Sequence, residues 1–317
     1  MKNKKGIALV SGGLDSLLTV FILKEQNIPL ICVTFITPFF GWKYKKNPQE
    51  FEEKFLSLGV EKVKIVDITE EFIEILKNPK YGYGSYANPC IDCKILMLKK
   101  AKEIMEKESA QFIVTGEVVG QRPFSQNKNT LELIEKKAGV SGILLRPLSA
   151  KLLSPTLPEI QGWVNREKLF DIYGRRRIPQ IELAKKFGIK DIPSPSGGCL
   201  LTDPVIGERV LKVLKENRPL NPKIAELLVI GRHIFEKDFW IVVGRNQKEN
   251  ELLCEITNGY FPCYTLNFPS PLLCVIQGTP SSEYLFSVLL KYSKKARNAL
   301  AKNEEVKLEE VRGEKFN

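Results

Sequence analysis

The chain has 317 residues, enough for two domains with substantial cores. Its 48 Lys and Arg exceed its 37 Asp and Glu, a formal net charge of +11, which favours a polyanionic partner, nucleic acid before a membrane surface. The charged start does not read as a secretory signal, and Pro262, Pro269, Pro271 and Pro280 interrupt the uncharged stretch 256–282, so it does not read as a membrane span. A Lys-rich solvated surface would give the same charge. The seven cysteines then suit metal or catalytic work in the cytoplasm better than a disulfide framework.

The apolar run Ile7-Ala8-Leu9-Val10 predicts a strand, and the pattern from Leu14 to Glu25 predicts a helix. Between them lies Ser11-Gly12-Gly13-Leu14-Asp15-Ser16. Strand, glycine turn and helix N-terminus gather backbone N–H groups on one spot, a recurrent anion site. Gly12 and Gly13 allow close approach to the backbone, and Ser11 and Ser16 add hydroxyls. Asp15 would repel a phosphate unless a cation lay between them, and Mg²⁺ supplies one. An ordinary glycine turn is the plainer reading of Gly-Gly alone. The segment is neither a Walker A loop nor a GxGxxG fingerprint. It resembles the pyrophosphate loop, SGGxDS, of the PP-loop ATP pyrophosphatases. That resemblance implies an α/β fold with a Rossmann-like parallel sheet of the adenine nucleotide alpha hydrolase type. It also implies ATP and Mg²⁺ at Ser11, Gly12, Gly13, Asp15 and Ser16, and adenylation of a substrate oxygen.

Leu30 to Ile36 is continuously apolar, as in a strand buried on both faces; the resemblance puts its end, Thr34 and Phe35, beside the adenine. Pro38 to Trp42 is an aromatic loop that contacts ligand or packs in the core. A helix is expected over Pro48–Leu58, a strand over Val63–Ile68, and another helix opening at Thr69-Glu70-Glu71 with a hydroxyl cap. Cys90-Ile91-Asp92-Cys93 enters a helix whose apolar positions are Ile95, Leu98, Ala101, Ile104 and Met105. A helix N-terminus there favours the thiolate.

Phe112–Thr115 predicts a strand that runs into Gly116-Glu117-Val118-Val119-Gly120-Gln121, with Ser125-Gln126 shortly after. This TGExxGQ segment is similar to that of the tRNA 4-thiouridine synthetases, which implies a loop over the nucleotide involving Gly116 and Gln121. Leu145-Arg146-Pro147-Leu148 fits the same pattern, with Arg146 either on a phosphate or in a surface pair. Residues 151–178 read as irregular and basic, and Arg175-Arg176-Arg177 suit RNA phosphates or a solvated charge run. A helix over Gln180–Phe187 and a rigid loop from Ile192 to Cys199 complete a first domain, 1–205.

Residues 206–219 are expected as a linker and 220–317 as a smaller α+β domain. Two strands there end in basic turns at Arg232 and Arg245, Asn250–Glu255 is a short helix, 268–278 holds a strand, and Ser282–Asn303 reads as one amphipathic basic helix. The GRH and GRNxxEN segments are similar to the NFACT-type RNA-binding domain, so this basic unit is expected to serve as the RNA module.

Cys90 and Cys93 form a CxxC, which alone leaves zinc, redox and structural roles competing. Cys199 is a third thiol expected at the same end of the sheet. Three thiolates leaving one iron open suit a [4Fe–4S] cluster that binds sulfide. The alternatives are a persulfide on Cys199 resolved by Cys90 or Cys93, and zinc, which would want a fourth ligand when the only histidine is His233. Cys32, Cys254, Cys263 and Cys274 are expected to be buried core residues. Together these features lead to an ATP-dependent tRNA sulfurtransferase with Asp15, Cys90, Cys93 and Cys199 as catalytic residues, 4-thiouridine rather than 2-thiouridine as product, and sulfide or a cysteine desulfurase as donor. No membrane partner is expected, and a homodimer is allowed. Sulfur transfer to a small molecule, and a non-catalytic RNA-binding role in translation quality control, are the alternatives.

Overall fold

The computed structural model describes residues 4–192 and 198–311. The chain divides into two compact units, Met1–Gly207 and Glu208–Asn317. The first contains strands β1 (Gly6–Leu9), β2 (Leu30–Ile36), β3 (Lys62–Asp67), β4 (Phe112–Thr115) and β5 (Leu144–Leu145). Between and after them come helices α1 (Leu14–Lys24), α2 (Lys43–Lys46), α3 (Pro48–Leu56), α4 (Thr69–Lys77), α5 (Cys90–Lys107), α6 (Lys128–Ala138), α7 (Leu157–Ile160) and α8 (Ile178–Lys186). The strands form one parallel sheet in the order β3-β2-β1-β4-β5.

Alternation along each strand explains why both faces are covered. Ile7, Ile31 and Ile113 point into one apolar layer with Ile95 and Leu98 of α5. Ala8, Cys32 and Val114 point into the other, with Leu17 and Leu18 of α1 and Leu183 of α8. β2 is buried over its whole length. β1 is the central strand, so the segment leaving it emerges in the middle of the sheet's carboxyl edge, where open α/β sheets bind ligands.

The expected strands and most expected helices of this unit form as read. The helix at Thr69 begins differently: Ile68 occupies the cap position, and the Asp67 carboxylate accepts from the Thr69 N–H at 3.0 Å. Helix α6 was not expected, although its ends are written in the sequence. The Asn127 side chain accepts from the Thr130 N–H at 2.9 Å, and Gly139, at φ 67°, ends the helix. The aromatic loop packs inward: Phe39 is fully buried, and the Phe40 ring meets Phe72 edge-on at 5.4 Å. Most of the expected rigid loop before Cys199, from Pro193 to Gly197, lies outside the described residues.

Residues 206–219, expected as a linker, are largely taken up by helix α9 (Pro204–Lys215). The second unit then holds α10 (Pro222–Leu227), α11 (Gln247–Thr257), α12 (Ser282–Tyr292) and α13 (Lys294–Ala301). Its strands β6 (Arg232–Phe235), β7 (Trp240–Val243), β8 (Cys263–Leu266), β9 (Leu273–Gln277) and β10 (Leu308–Val311) form a sheet in the order β10-β8-β9-β7-β6. Every pairing in it is antiparallel. Ile241, Val243, Leu273 and Val275 pack against Leu285 and Leu289 of α12.

Two expectations for this unit are corrected. The single helix over Ser282–Asn303 is two helices, because Ser293 leaves the helix and its hydroxyl accepts from the Ala296 N–H at 3.0 Å as the cap of α13. Cys254, Cys263 and Cys274 are buried as expected, but Cys263 and Cys274 face each other across β8 and β9 and are joined as a disulfide. The unit is basic, but it carries less of the chain's excess charge than the first. Residues 208–317 carry 17 Lys and Arg against 14 Asp and Glu, whereas residues 1–207 carry 31 against 23. Among the described residues no helix is long and apolar enough to cross a membrane.

Candidate active site

Ser11 to Ser16 form the turn from β1 into α1. Gly12 has φ 79°, which strains any side chain, and a Cβ there would lie 2.3 Å from the Tyr44 hydroxyl, which would have to shift. Tyr44 donates to the Ser11 carbonyl at 3.2 Å and packs its ring on Phe51 at 4.2 Å. No motif pointed to Tyr44 as the cover of this loop. Gly13 occupies the cap position of α1 without a side-chain cap, which leaves the first amides of the helix to a ligand. Ser16 is buried; its hydroxyl donates to the Gly13 carbonyl at 2.8 Å and accepts from the Ser11 N–H at 3.2 Å, fixing the turn from within.

Thr34 and Phe35 are 3% and 6% exposed. Phe35 packs with Ile68, Ile91 and Ile95.

β4 ends beside the turn. A Cβ on Gly116 would lie 2.7 Å from the backbone carbon of Asp15, so glycine permits the two segments to touch. Three attachments of the loop 116–126 that follows bear on the site. The Gln121 side-chain amide donates to Oδ2 of Asp15 at 3.0 Å, while Oδ1 of Asp15 is buried without a hydrogen-bond partner. The Cys90 thiol donates to the Ser125 hydroxyl at 3.2 Å. Lys94, one turn further along α5, pairs with Glu117 and donates to the Ser125 carbonyl at 3.2 Å. One loop therefore touches both the glycine turn and the first turn of α5.

Arg146 anchors this loop from below. It is 2% exposed, donates from Nε to Glu117 at 2.9 Å and pairs through Nη1 with Glu135. Burial alone would raise Glu117; the Lys94 ammonium and the Arg146 guanidinium more than offset it and hold the carboxyl at about 2. Arg146 is thus neither on an exposed phosphate site nor in a surface pair. It is the buried counter-ion of a structural network.

Cys90 begins α5 and Cys93 lies one turn inside it. The expected thiolate at Cys93 is not found. Burial pushes its thiol well up, and the charges of Cys199 and Cys90 push it further. A helix terminus is worth roughly 0.3–1 kcal/mol, under one pKa unit, against several for full burial. Cys199, in the segment before α9, is raised to about 12, first by burial and then, more weakly, by Cys90, with Arg122 opposing. The three sulfurs therefore lie near enough to feel one another. Among the described residues, however, no three His, Cys, Asp or Glu side chains come close enough together to hold a metal ion. The arrangement does not support the three-thiolate iron–sulfur site, and no step is derived through it. A cavity of about 260 Å³ elsewhere in this unit is lined by Glu132, Glu135 and Glu159. Those acids are poor company for an anionic substrate.

Residues 1–151 match the family model described as thiamine biosynthesis protein (ThiI). That span includes the glycine turn, Cys90, Cys93, the 116–126 loop and Arg146, and it ends before Cys199. A tRNA-specific 2-thiouridylase MnmA of Petrotoga mobilis is 32% identical over 131 residues, 37% of this chain and 36% of its own length. A probable tRNA sulfurtransferase of Methanothermobacter thermautotrophicus is 25% identical over 212 residues, 62% of this chain and 43% of its own length. The chain thus spans well under half the length of these curated relatives. The solved structure of a 4-thiouridine synthetase in complex with RNA and bound ATP aligns with 70% of this chain and 52% of its own, at 22% identity and a TM-score of 0.36.

In the second unit, the basic strand ends are occupied. Arg245 is paired with Glu249, and Arg232 stacks on Tyr292 at 4.9 Å and donates to the Gly244 carbonyl at 3.2 Å. His233 is buried. It accepts from the Trp240 indole at Nδ1, at 3.0 Å, which leaves Nε2 to donate to the Leu227 and Ile230 carbonyls.

Proposed function

We propose that this chain is an ATP-dependent tRNA sulfurtransferase that adenylates a uridine carbonyl oxygen and replaces it with sulfur, giving 4-thiouridine. The observation that carries this reading is the 116–126 loop, which bonds Asp15 in a phosphate-type turn and Cys90 in a thiol cluster. An activating site and a sulfur site are then served by one segment. The ThiI match over residues 1–151 and the likeness to a probable tRNA sulfurtransferase support the same reading.

The turn's backbone amides and the start of α1 hold the phosphates of ATP and oppose charge that develops on the leaving pyrophosphate. Asp15, with its unpartnered buried oxygen, would hold Mg²⁺, which neutralises phosphate charge when bound. The uridine O4 attacks the α-phosphorus and pyrophosphate leaves. Sulfur then displaces AMP at C4. In the persulfide form of the centre, the terminal sulfur on Cys199 bonds to C4. Cys90 or Cys93 next attacks the Cys199 sulfur, freeing the thiouridine and leaving a disulfide for a thiol reductant to reopen.

The likeness to a 2-thiouridylase favours a second reading, the same chemistry at O2. Pyrophosphate release from ATP with and without bulk tRNA, followed by mass spectrometry of the digested nucleosides, tests both readings. Release stimulated by tRNA with 4-thiouridine formed is the expected result; 2-thiouridine selects the second reading, and no stimulation by tRNA rejects both. Anaerobic reconstitution with iron and sulfide, followed by iron counting, separates the sulfur centres: an active protein without iron leaves the persulfide.

A further inference from the structure

The 116–126 loop has a further attachment that adenylation does not use. Gly120 has φ 78°, and a Cβ there would lie 2.8 Å from the Tyr173 ring. Val119 and Tyr173 form an isolated parallel bridge, and the Gly174 N–H donates to the Val119 carbonyl at 2.8 Å. The ring is therefore laid on bare backbone, yet Tyr173 is 68% exposed, against 0% for Trp240 or Phe39. The fold holds this aromatic in place without burying it. The next residues outward include Arg175 and Arg176, both exposed. Among the described residues neither has a hydrogen-bond or ion-pair partner.

We propose that Tyr173 is the stacking platform for the unpaired base that is to be thiolated, with Arg175 and Arg176 on the flanking phosphates of the RNA. This rests on the sulfur-transfer reading and names how its substrate is held. Two features carry it. An exposed aromatic face beside arginines is the arrangement that binds single-stranded nucleic acid, since every base has a stacking face. The platform sits on Gly120, the neighbour of Gln121, and Gln121 bonds Asp15, so the segment under the ring also holds the activating carboxylate. The excess charge of the first unit, 31 Lys and Arg against 23 Asp and Glu, agrees with an RNA partner.

The test uses the full chain and three variants, Tyr173→Ala, Tyr173→Phe and the double change Arg175→Ala/Arg176→Ala. KM is measured for tRNA and for ATP by tRNA-stimulated pyrophosphate release. Tyr173→Ala is expected to raise the KM for tRNA roughly tenfold, as loss of one stacked base does, and to leave the KM for ATP within about twofold. Tyr173→Phe keeps the ring and is expected to behave as wild type, which sets stacking apart from a folding defect. The double Arg change is expected to weaken tRNA binding and to flatten its dependence on log salt by about 1.5 units of slope. An unchanged KM for tRNA in Tyr173→Ala overturns the platform, as does a rise in the KM for ATP instead, which would mean that the ring holds the adenine. A wild-type chain without tRNA-stimulated release overturns the sulfur-transfer reading and the platform with it.

Discussion

Gln121 donates its side-chain amide to Oδ2 of Asp15 at 3.0 Å, across 106 positions of sequence, and Oδ1 is left buried with no partner. A buried carboxylate oxygen without a donor is costly unless a ligand or cation completes it. The two residues therefore have separate roles. Asp15 acts on the ligand; Gln121 fixes where Asp15 points. Asp15→Asn is expected to lower pyrophosphate release by at least about 100-fold, with unchanged thermal unfolding. Gln121→Ala is expected to cost about tenfold, because it loosens the carboxylate without removing it. Equal losses in the two variants would place Gln121 in the chemistry itself.

Arg146 is the counter-ion of Glu117 and Glu135 inside the first unit. Arg146→Met removes the positive charge and leaves Glu135 without its ion-pair partner and Glu117 with Lys94 alone, so a loss of about 3–5 kcal/mol of stability is expected in denaturant titration. Glu117 is held at about 2, below its ordinary 4.5. Its contribution is complete above pH 4.5 and disappears as pH falls from there towards 2. In Arg146→Met the carboxyl should protonate at higher pH, and acid unfolding should begin earlier. A variant as stable as the parent would show that Lys94 alone suffices.

The cysteines should separate the two halves of the reaction. Cys90→Ala, Cys93→Ala and Cys199→Ala are each expected to abolish thiolated product while tRNA-stimulated pyrophosphate release persists, since the hydrogen bond of Cys90 goes to Ser125 and not to the glycine turn. Cys254→Ala, in the other unit, should lose neither. Loss of pyrophosphate release in Cys199→Ala would move that residue into adenylation.

His233 is the only histidine of the chain, which makes it easy to observe. Burial, with Arg209 nearby, lowers it to about 3. Its ring proton resonances are expected to stay constant from pH 8 to pH 5. The sign follows from linkage: above pH 6.5 the ring is neutral whether folded or unfolded, and below it the unfolded chain gains a proton that the folded one refuses. Stability of the second unit should therefore fall as pH drops from 6.5 towards 3. A midpoint near 6.5 would place the ring in solvent.

The glycine turn, its flanking strand and helix, and β2 were legible because each rests on local pattern: apolar runs, paired glycines, a helix period. The same holds for the start of α5 at Cys90. What was not legible depended on distant neighbours. Nothing near Arg146 in sequence announces Glu117 and Glu135, and nothing near Tyr44 announces Gly12. The thiolate expected at Cys93 failed because a helix terminus is a local effect and burial is a tertiary one, and the larger effect won. Arg245 looked like a free cation until Glu249, one helical turn on, was seen to neutralise it. The ends of α6 and the break at Ser293 were written in cap residues and could have been read.

The attachments of the 116–126 loop have a further consequence for how this protein responds to change. Gly116, Gly120, Gln121 and Ser125 meet Asp15, Tyr173 and Cys90 within one short span of backbone, which the Gly120 N–H closes on the Gln126 carbonyl at 2.7 Å. Such a span opens as a cooperative unit. Substitutions at Gln121 and Ser125 should then fail to add: once either has released the loop, the second has little left to undo. A double-mutant cycle on product formation should show a coupling energy of about 0.5–3 kcal/mol, although neither side chain bonds the other.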